Sequence, residues 1–366
     1  MNVCDPSGTR SETLTETSSE TLTETSSETS SETRAETRAP IKHLVLSSGV
    51  IYGFTFYGLL KRLHQASWFN MHDIETIHST SAGTIIGTIL SVWCIQEGSE
   101  THGPVKGTEA YDWATLDNYL VGRPWHTVFH FSLDTVLQTY QNCGMFTVKA
   151  IEDMLRPVFA ARDLDLDTLT MREFYEATGI EHHFFTVNLT HFQTVDVSHH
   201  THPEWRVLDA VYASACAPVL FAPYQSPQDH SWYVDGAFLV NYPIEPCLTW
   251  CDAHQRPRNT VLGVNILMNF DASGQDTTSP HPGMTLLEYF NLLTKNILNK
   301  ICHNPVTLDP SNNVVPWEVH IHPYTRMNDF VTVCYSKDER QRLIDLGAEH
   351  AEQLMARSDR PFTTCS

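Results

Sequence analysis

The sequence is short of positive charge. It carries 23 Lys+Arg against 43 Asp+Glu, a net charge of -20. A chain so acidic repels phosphate backbones at long range, so nucleic acid is not an expected partner. Docking on an acidic membrane by charge alone is disfavoured for the same reason. Long apolar runs are lacking too. The longest, Ile85 to Ile95, is broken by Gly87, Thr88 and Ser91, and a membrane span needs about 20 residues. There is no basic-then-apolar opening, so no signal peptide is expected. The 9 cysteines form no CxxC pair, which points away from a disulfide framework and towards reduced thiols. Cys247 and Cys251 stand one helical turn apart without a second ligand pair, and are read as half-buried thiols. These absences together predict an intracellular protein, soluble or peripherally bound to a membrane.

What is present divides the chain in two. Residues 1–40 hold eight acids, three arginines and a Glu-Thr pair every four residues from Ser11 to Arg38. Glutamates at that spacing would stack on one side of a helix and repel, and Ser and Thr are mediocre helix formers. Residues 1–40 are therefore expected to be a disordered tail. Residues 41–360 are expected to be one folded domain.

Within that domain, residues 42–47 read as a strand, Phe54–Gln65 as a helix, Asp73–His78 as a strand and 83–95 as a helix. Strand, small-residue turn and helix, twice over, predict an α/β fold of three layers. A mainly parallel central sheet would have helices on both faces. Residues 96–143 read as a helical insertion or cap. Helices are further expected at Phe146–Phe159, Thr170–Thr178 (stopped by Gly179), Val207–Ser214, Leu286–Asn299 and Glu339–Met355. Strands are expected at His183–Asn188 and Thr194–Val197 as a hairpin, and at Ser231–Val234, Val261–Met268 and Glu318–His322.

Three turns carry residue types suited to chemistry. Ser81 lies between small residues, after a strand and before a helix, as in a nucleophile elbow with Ser79 and Gly83 at its ends. The helix that follows would aim its positive end at a developing oxyanion. The loop Ser48-Gly49-Val50, after the first strand, has backbone N–H groups to offer such an anion. Asp235, at a strand end and followed by Gly236 and Ala237, has a carboxylate suited to a general base. Each turn taken alone is equally well an ordinary capping or DG turn.

Their order and number resemble the patatin-like phospholipase family. LSSGVIYG stands where that family has its glycine-rich oxyanion loop. STSAG stands for GTSAG, YASACAPVLFAPY for the ASxAxP segment, and YVDGAFLVNYPI for the DGG segment. GMFTVKAIEDML, FYEATGIEHHFFTVNL and FVTVCYSKDERQRLIDLGAEHA are similar to further family segments, so the resemblance runs from about 41 to 356. It implies a Ser-Asp dyad, with Ser81 as nucleophile and Asp235 as base. Backbone N–H groups in the loop Ser48, Gly49 and Val50 would form the oxyanion hole. The implied activity is a lipid acyl hydrolase of phospholipase A type acting on a membrane lipid or phospholipid, with no metal and no cofactor.

Three departures bear on this. Ser48 and Val50 each replace a glycine, and Tyr52 replaces a basic residue. A silent, lipid-binding or scaffold protein of the same family is the rival reading. If a histidine completed a triad, His320 or His322 would match the chain order. His199, His200 and His202, in HHTHP, read as a solvated loop in preference to a metal site. The aromatics Tyr52, Phe54, Phe56, Tyr57, Trp125, Phe129 and Phe131 divide between an acyl groove and the core. Contact with lipid, given the charge, would have to come from apolar groups near the site.

Overall fold

A computed structural model of the chain describes residues 39–95, 111–267, 315–322 and 329–358, with scattered positions between 282 and 296. Residues 1–38 of the tail expected at 1–40, and most of the helix expected at Leu286–Asn299, lie outside the described residues.

In chain order the strands are β1 (His43–Leu46), β2 (Thr76–Thr80), β3 (Gly144–Phe146), β4 (Glu181–Asn188), β5 (Gln193–Val197), β6 (Val219–Phe221), β7 (Tyr224–Gln225), β8 (Trp232–Asp235), β9 (Val261–Ile266) and β10 (Trp317–Ile321). The helices are α1 (Gly53–Gln65), α2 (Ala82–Trp93), α3 (Trp113–Leu120), α4 (Leu133–Asn142), α5 (Val148–Ala160), α6 (Met171–Thr178), α7 (Val207–Ala215), α8 (Ile244–Ala253), α9 (Asp329–Tyr335) and α10 (Lys337–Ser358). The main sheet runs β10-β9-β1-β2-β4-β8-β7, with β5 paired to β4. From β10 to β4 every pairing is parallel, whereas β5 and β8 run antiparallel to β4. This is the mainly parallel, three-layer α/β fold with helices on both faces.

The register explains the layers. Leu44, Leu46, Ile77 and Phe184 point to one face and join the main core with α1, α2, α5 and α7. Val45 points to the other face and packs with Ile244, Cys247, Leu248 and Cys251 of α8. The two cysteines are fully buried there, not half-buried, because both lie on the sheet-facing side of α8.

Several boundaries differ from the sequence reading. Asp73 lies in a 3-10 turn, and β2 runs two residues beyond the expected end, to Thr80. The helix expected from Phe146 starts at Val148, behind the N-cap Thr147, because Gly144–Phe146 pairs with β6 in a second small sheet. β6 and β7 are two or three residues long, below the length at which alternation is visible. The helix expected at Thr170–Thr178 has a mechanism in the structure: Thr170 and Glu173 form a capping box, and Gly179 closes the helix at φ 65. Among the described residues, no helix is long and apolar enough to cross a membrane.

Candidate functional site

β1 and β2 are parallel neighbours that deliver two loops to the same edge of the sheet. The turn after β2 places Ser81 at φ 54, ψ -119, a conformation costly for a residue with a Cβ. A network of four hydrogen bonds holds it there. The Ser81 N–H donates to Ser214 Oγ at 3.1 Å, and Ser214 in turn donates to the Phe185 carbonyl at 2.8 Å. Thr84 Oγ1 lies 2.9 Å from Ser214 Oγ and donates to Ser79 Oγ at 3.2 Å. Gly83 is obligatory by packing: a Cβ there would sit 2.6 Å from the carbonyl oxygens of Leu46 and Ser47. So Ser79 ends up inside β2 as a buried acceptor, Gly83 lets α2 cross the first loop, and Ser81 is held with its hydroxyl forward.

That hydroxyl donates to Asp235 Oδ2 at 2.6 Å. Asp235 is the last residue of β8, and its other oxygen accepts the Ala237 N–H at 2.8 Å. Gly236 must be glycine because a Cβ would lie 2.1 Å from the Phe185 carbonyl oxygen. Burial pushes the Asp235 carboxyl up to about 6, against the hydrogen bonds from Ser81 and Ala237, which hold it down. The carboxylate is thus a stronger proton acceptor than an ordinary aspartate and is still ionised at neutral pH.

The loop after β1 is anchored by Asn241. Ser48 donates its N–H to the Asn241 carbonyl at 2.9 Å and its hydroxyl to Asn241 Oδ1. Its amide is therefore occupied, which corrects the expectation that Ser48 is one of the free donors. Gly49 and Val50 stand at the entry of the 3-10 turn Val50–Tyr52, where the turn itself supplies no acceptor for their N–H groups. Val50 takes φ 48. The backbone shape survives the loss of glycine, at a cost of about 1–2 kcal/mol.

Ser81 and Val50 open on a cleft of about 830 Å³, its mouth included. Its walls are almost wholly apolar: Phe54 and Ile86, then Leu120, Trp125 and Phe129 from the 113–129 region, and Phe330 and Val333 from α9. Of the seven aromatics singled out in the sequence, Phe54, Trp125 and Phe129 line the cleft. Tyr52, Phe56 and Tyr57 are buried in the core, and Phe131 packs edge-on against Phe146 and Phe330. Arg340 ties this wall together, donating to the carbonyls of Val121, Val333 and Cys334.

The histidines expected as alternatives lie elsewhere. His320 is on β10, three strands from β2 and so roughly 14 Å away, and it pairs with Glu318 at 3.3 Å. His322 follows it, exposed. Sequence reasoning missed Ser214, Thr84 and Asn241. Ser214 and Asn241 stand inside the ASACAP and VNYP segments, yet no spacing rule assigns a hydroxyl or an amide to a backbone partner far away in the chain.

A family model of the patatin-like phospholipases matches residues 44–248, and the chain belongs to that family. It is similar to the probable lipid hydrolase 463L of Invertebrate iridescent virus 6, 22% identical over 231 residues, which is 62% of this chain and 71% of that one. It is also similar to the uncharacterized protein R571 of Acanthamoeba polyphaga mimivirus, 23% identical over 212 residues, 56% of this chain and 60% of that one. Among solved structures, VipD from Legionella pneumophila aligns with a TM-score of 0.45 at 14% identity, over 87% of this chain and 68% of that chain. The type III effector protein ExoU aligns with a TM-score of 0.36 at 14% identity, over 88% and 54%.

Proposed function

We propose that this chain is a lipid ester hydrolase of phospholipase A type, with Ser81 as its nucleophile and Asp235 as its general base. The observation that carries the reading is the 2.6 Å hydrogen bond from Ser81 Oγ to Asp235 Oδ2 at the head of an apolar cleft. Membership of the patatin-like phospholipase family supports the lipid substrate.

In the proposed reaction Asp235 takes the Ser81 proton as Oγ attacks the acyl carbonyl carbon. The carbonyl oxygen becomes an oxyanion facing the Gly49 and Val50 N–H groups, and the N-terminal end of α2 adds its dipole. Collapse breaks the ester bond. The departing lysolipid oxygen takes the proton back from Asp235, leaving an acyl-enzyme. A water then gives Asp235 its proton, attacks the acyl carbon and releases the fatty acid, and the proton returns to Ser81. No step in this scheme calls for a third residue.

The acyl chain would lie in the cleft, where burying each methylene favours binding by about 0.8 kcal/mol. We take residues 41–360 as the hydrolase domain and 96–143 as its cap, since Leu120, Trp125 and Phe129 of that stretch reach the cleft. Contact with a membrane would be apolar and peripheral. Val50 at the cleft, and Val331 and Tyr335 on α9, are exposed hydrophobics suited to it.

A fluorophosphonate probe on purified protein tests the reading. Wild type is expected to label covalently and Ser81→Ala not at all. A folded wild type that takes no label would favour the silent lipid-binding relative, for which the substitution of glycine by Val50 is the argument.

A further inference from the structure

We propose that Glu181, His199 and His200 form a binding site for a divalent transition-metal ion of the zinc type, at the end of the sheet opposite Ser81. β4 opens with Glu181, and the turn after β5 carries His199 and His200 back over it. One ligand atom from each of the three lies within 4.8 Å of the others. His200 Nε2 is 3.6 Å from Glu181 Oε1. Two ligands on one tetrahedral zinc, each about 2.0–2.2 Å from it, stand roughly 3.3 Å apart. This pair is therefore nearly at coordination distance already. The His200 side chain is 68% exposed and free to close the rest.

His199 contributes the second observation. Its Nδ1 is enclosed and has no hydrogen-bond partner. Its ring is held flat against Tyr175, with centroids 3.9 Å apart and planes 5° apart. An ordered imidazole with an unused nitrogen beside a carboxylate is the arrangement a metal ion completes. An outer layer is in place as well. Glu181 Oε1 accepts from Trp250 Nε1 at 3.2 Å and lies 3.0 Å from His183 Nε2, whose Nδ1 is 2.8 Å from Asp196. Such contacts orient a ligating carboxylate. Two imidazoles and one carboxylate select zinc-like ions over calcium or magnesium, which take oxygen ligands. Three protein ligands leave a fourth position for water.

The site is remote from the ester chemistry. Thr186 pairs with Asp235, and Glu181 is five residues further back along β4, roughly 16 Å. The ion would fasten the turn after β5 to β4, and so raise stability without entering the reaction.

The test uses the full chain without an affinity tag, stripped with a chelator and titrated with zinc chloride. One ion per chain is expected, with a Tm rise of about 3–8 °C at saturation. His200→Ala, at an exposed position, is expected to leave the zinc-free Tm unchanged, to weaken binding at least about tenfold and to abolish the rise. His199→Ala is expected to do the same to binding. His202→Ala, outside the cluster, is expected to bind as wild type. A wild type that takes no zinc at about 100 µM, or a His200→Ala protein that binds as well as wild type, overturns the proposal.

Discussion

The turns after β1 and β2 follow one plan and differ in what they leave free. Both pass from a buried parallel strand through a non-glycine residue at positive φ, Val50 at 48 and Ser81 at 54, into a helical turn. After β2 the backbone is tied down, with the Ser81 N–H on Ser214, and the side chain is presented. After β1 the anchor is one residue earlier, at Ser48 and Asn241, and the N–H groups of Gly49 and Val50 are left for other acceptors. One turn offers a side chain and the other offers backbone. A side chain admits no substitute, whereas a backbone donor survives a change of residue. This accounts for a family member that keeps Ser81 and Asp235 at the ends of β2 and β8 while carrying Ser48 and Val50 in the loop.

The sharpest way to break the comparison is at Asp235. Asp235→Asn removes the proposed proton acceptor and should lower turnover at least about 10³-fold, by analogy with the loss of other positioned bases. The same change should stabilise the fold. The folded carboxyl is raised to about 6 from 3.8, so its stabilising contribution is full below the unfolded value and is lost as pH rises through 6. At pH 7 the buried charge is a cost, and asparagine should add about 1–3 kcal/mol. That gain should shrink as pH falls from 6 towards 4. Denaturant unfolding of both proteins across that range checks it. In the wild type, kcat/KM should fall about tenfold per pH unit below about 6.

Next in size is Ser214→Ala. It leaves the buried Ser81 N–H without its acceptor, a penalty of about 1–3 kcal/mol. If that is felt in the position of Oγ, kcat should fall about 10–100-fold with KM unchanged. Steady-state kinetics that show a change in KM alone would make Ser214 a part of substrate binding and not of the turn. The smallest effect belongs to the other turn. Val50→Gly removes the cost of positive φ but adds glycine's backbone entropy, so the net gain should be below about 1 kcal/mol. Activity should stay within about threefold. A larger fall in kcat would show that the loop works through the valine side chain.

The strands β1, β2, β4 and β9 were legible because each carries several apolar or β-branched residues and is closed by a turn. α6 was legible from its capping box and its glycine. β3, β6 and β7 were not, because two or three residues carry no period and are held by partners far along the chain. Ser81, Asp235, Gly83 and Gly236 were legible as residue types at strand ends. The grip of Ser214 and Asn241 on the two turns was not, since it depends on α7 and the segment after β8 folding back onto the sheet. The same holds for Glu181. In the sequence it is eighteen residues from His199, and HHTHP reads as a solvated loop.

By itself, the amino-acid sequence determined the alternation of strand and helix, the small residues at the two turns, and the acid excess. These follow from local propensity, steric size and charge, which act through nearest neighbours. Only the tertiary structure decided that Ser81 and Asp235 share a hydrogen bond, that Ser48 is occupied while Gly49 and Val50 are not, and that the 113–129 region and α9 wall one cleft. Each of these depends on which strand lies beside which. That order is set by packing both faces of the sheet at once, and no window of the sequence contains it.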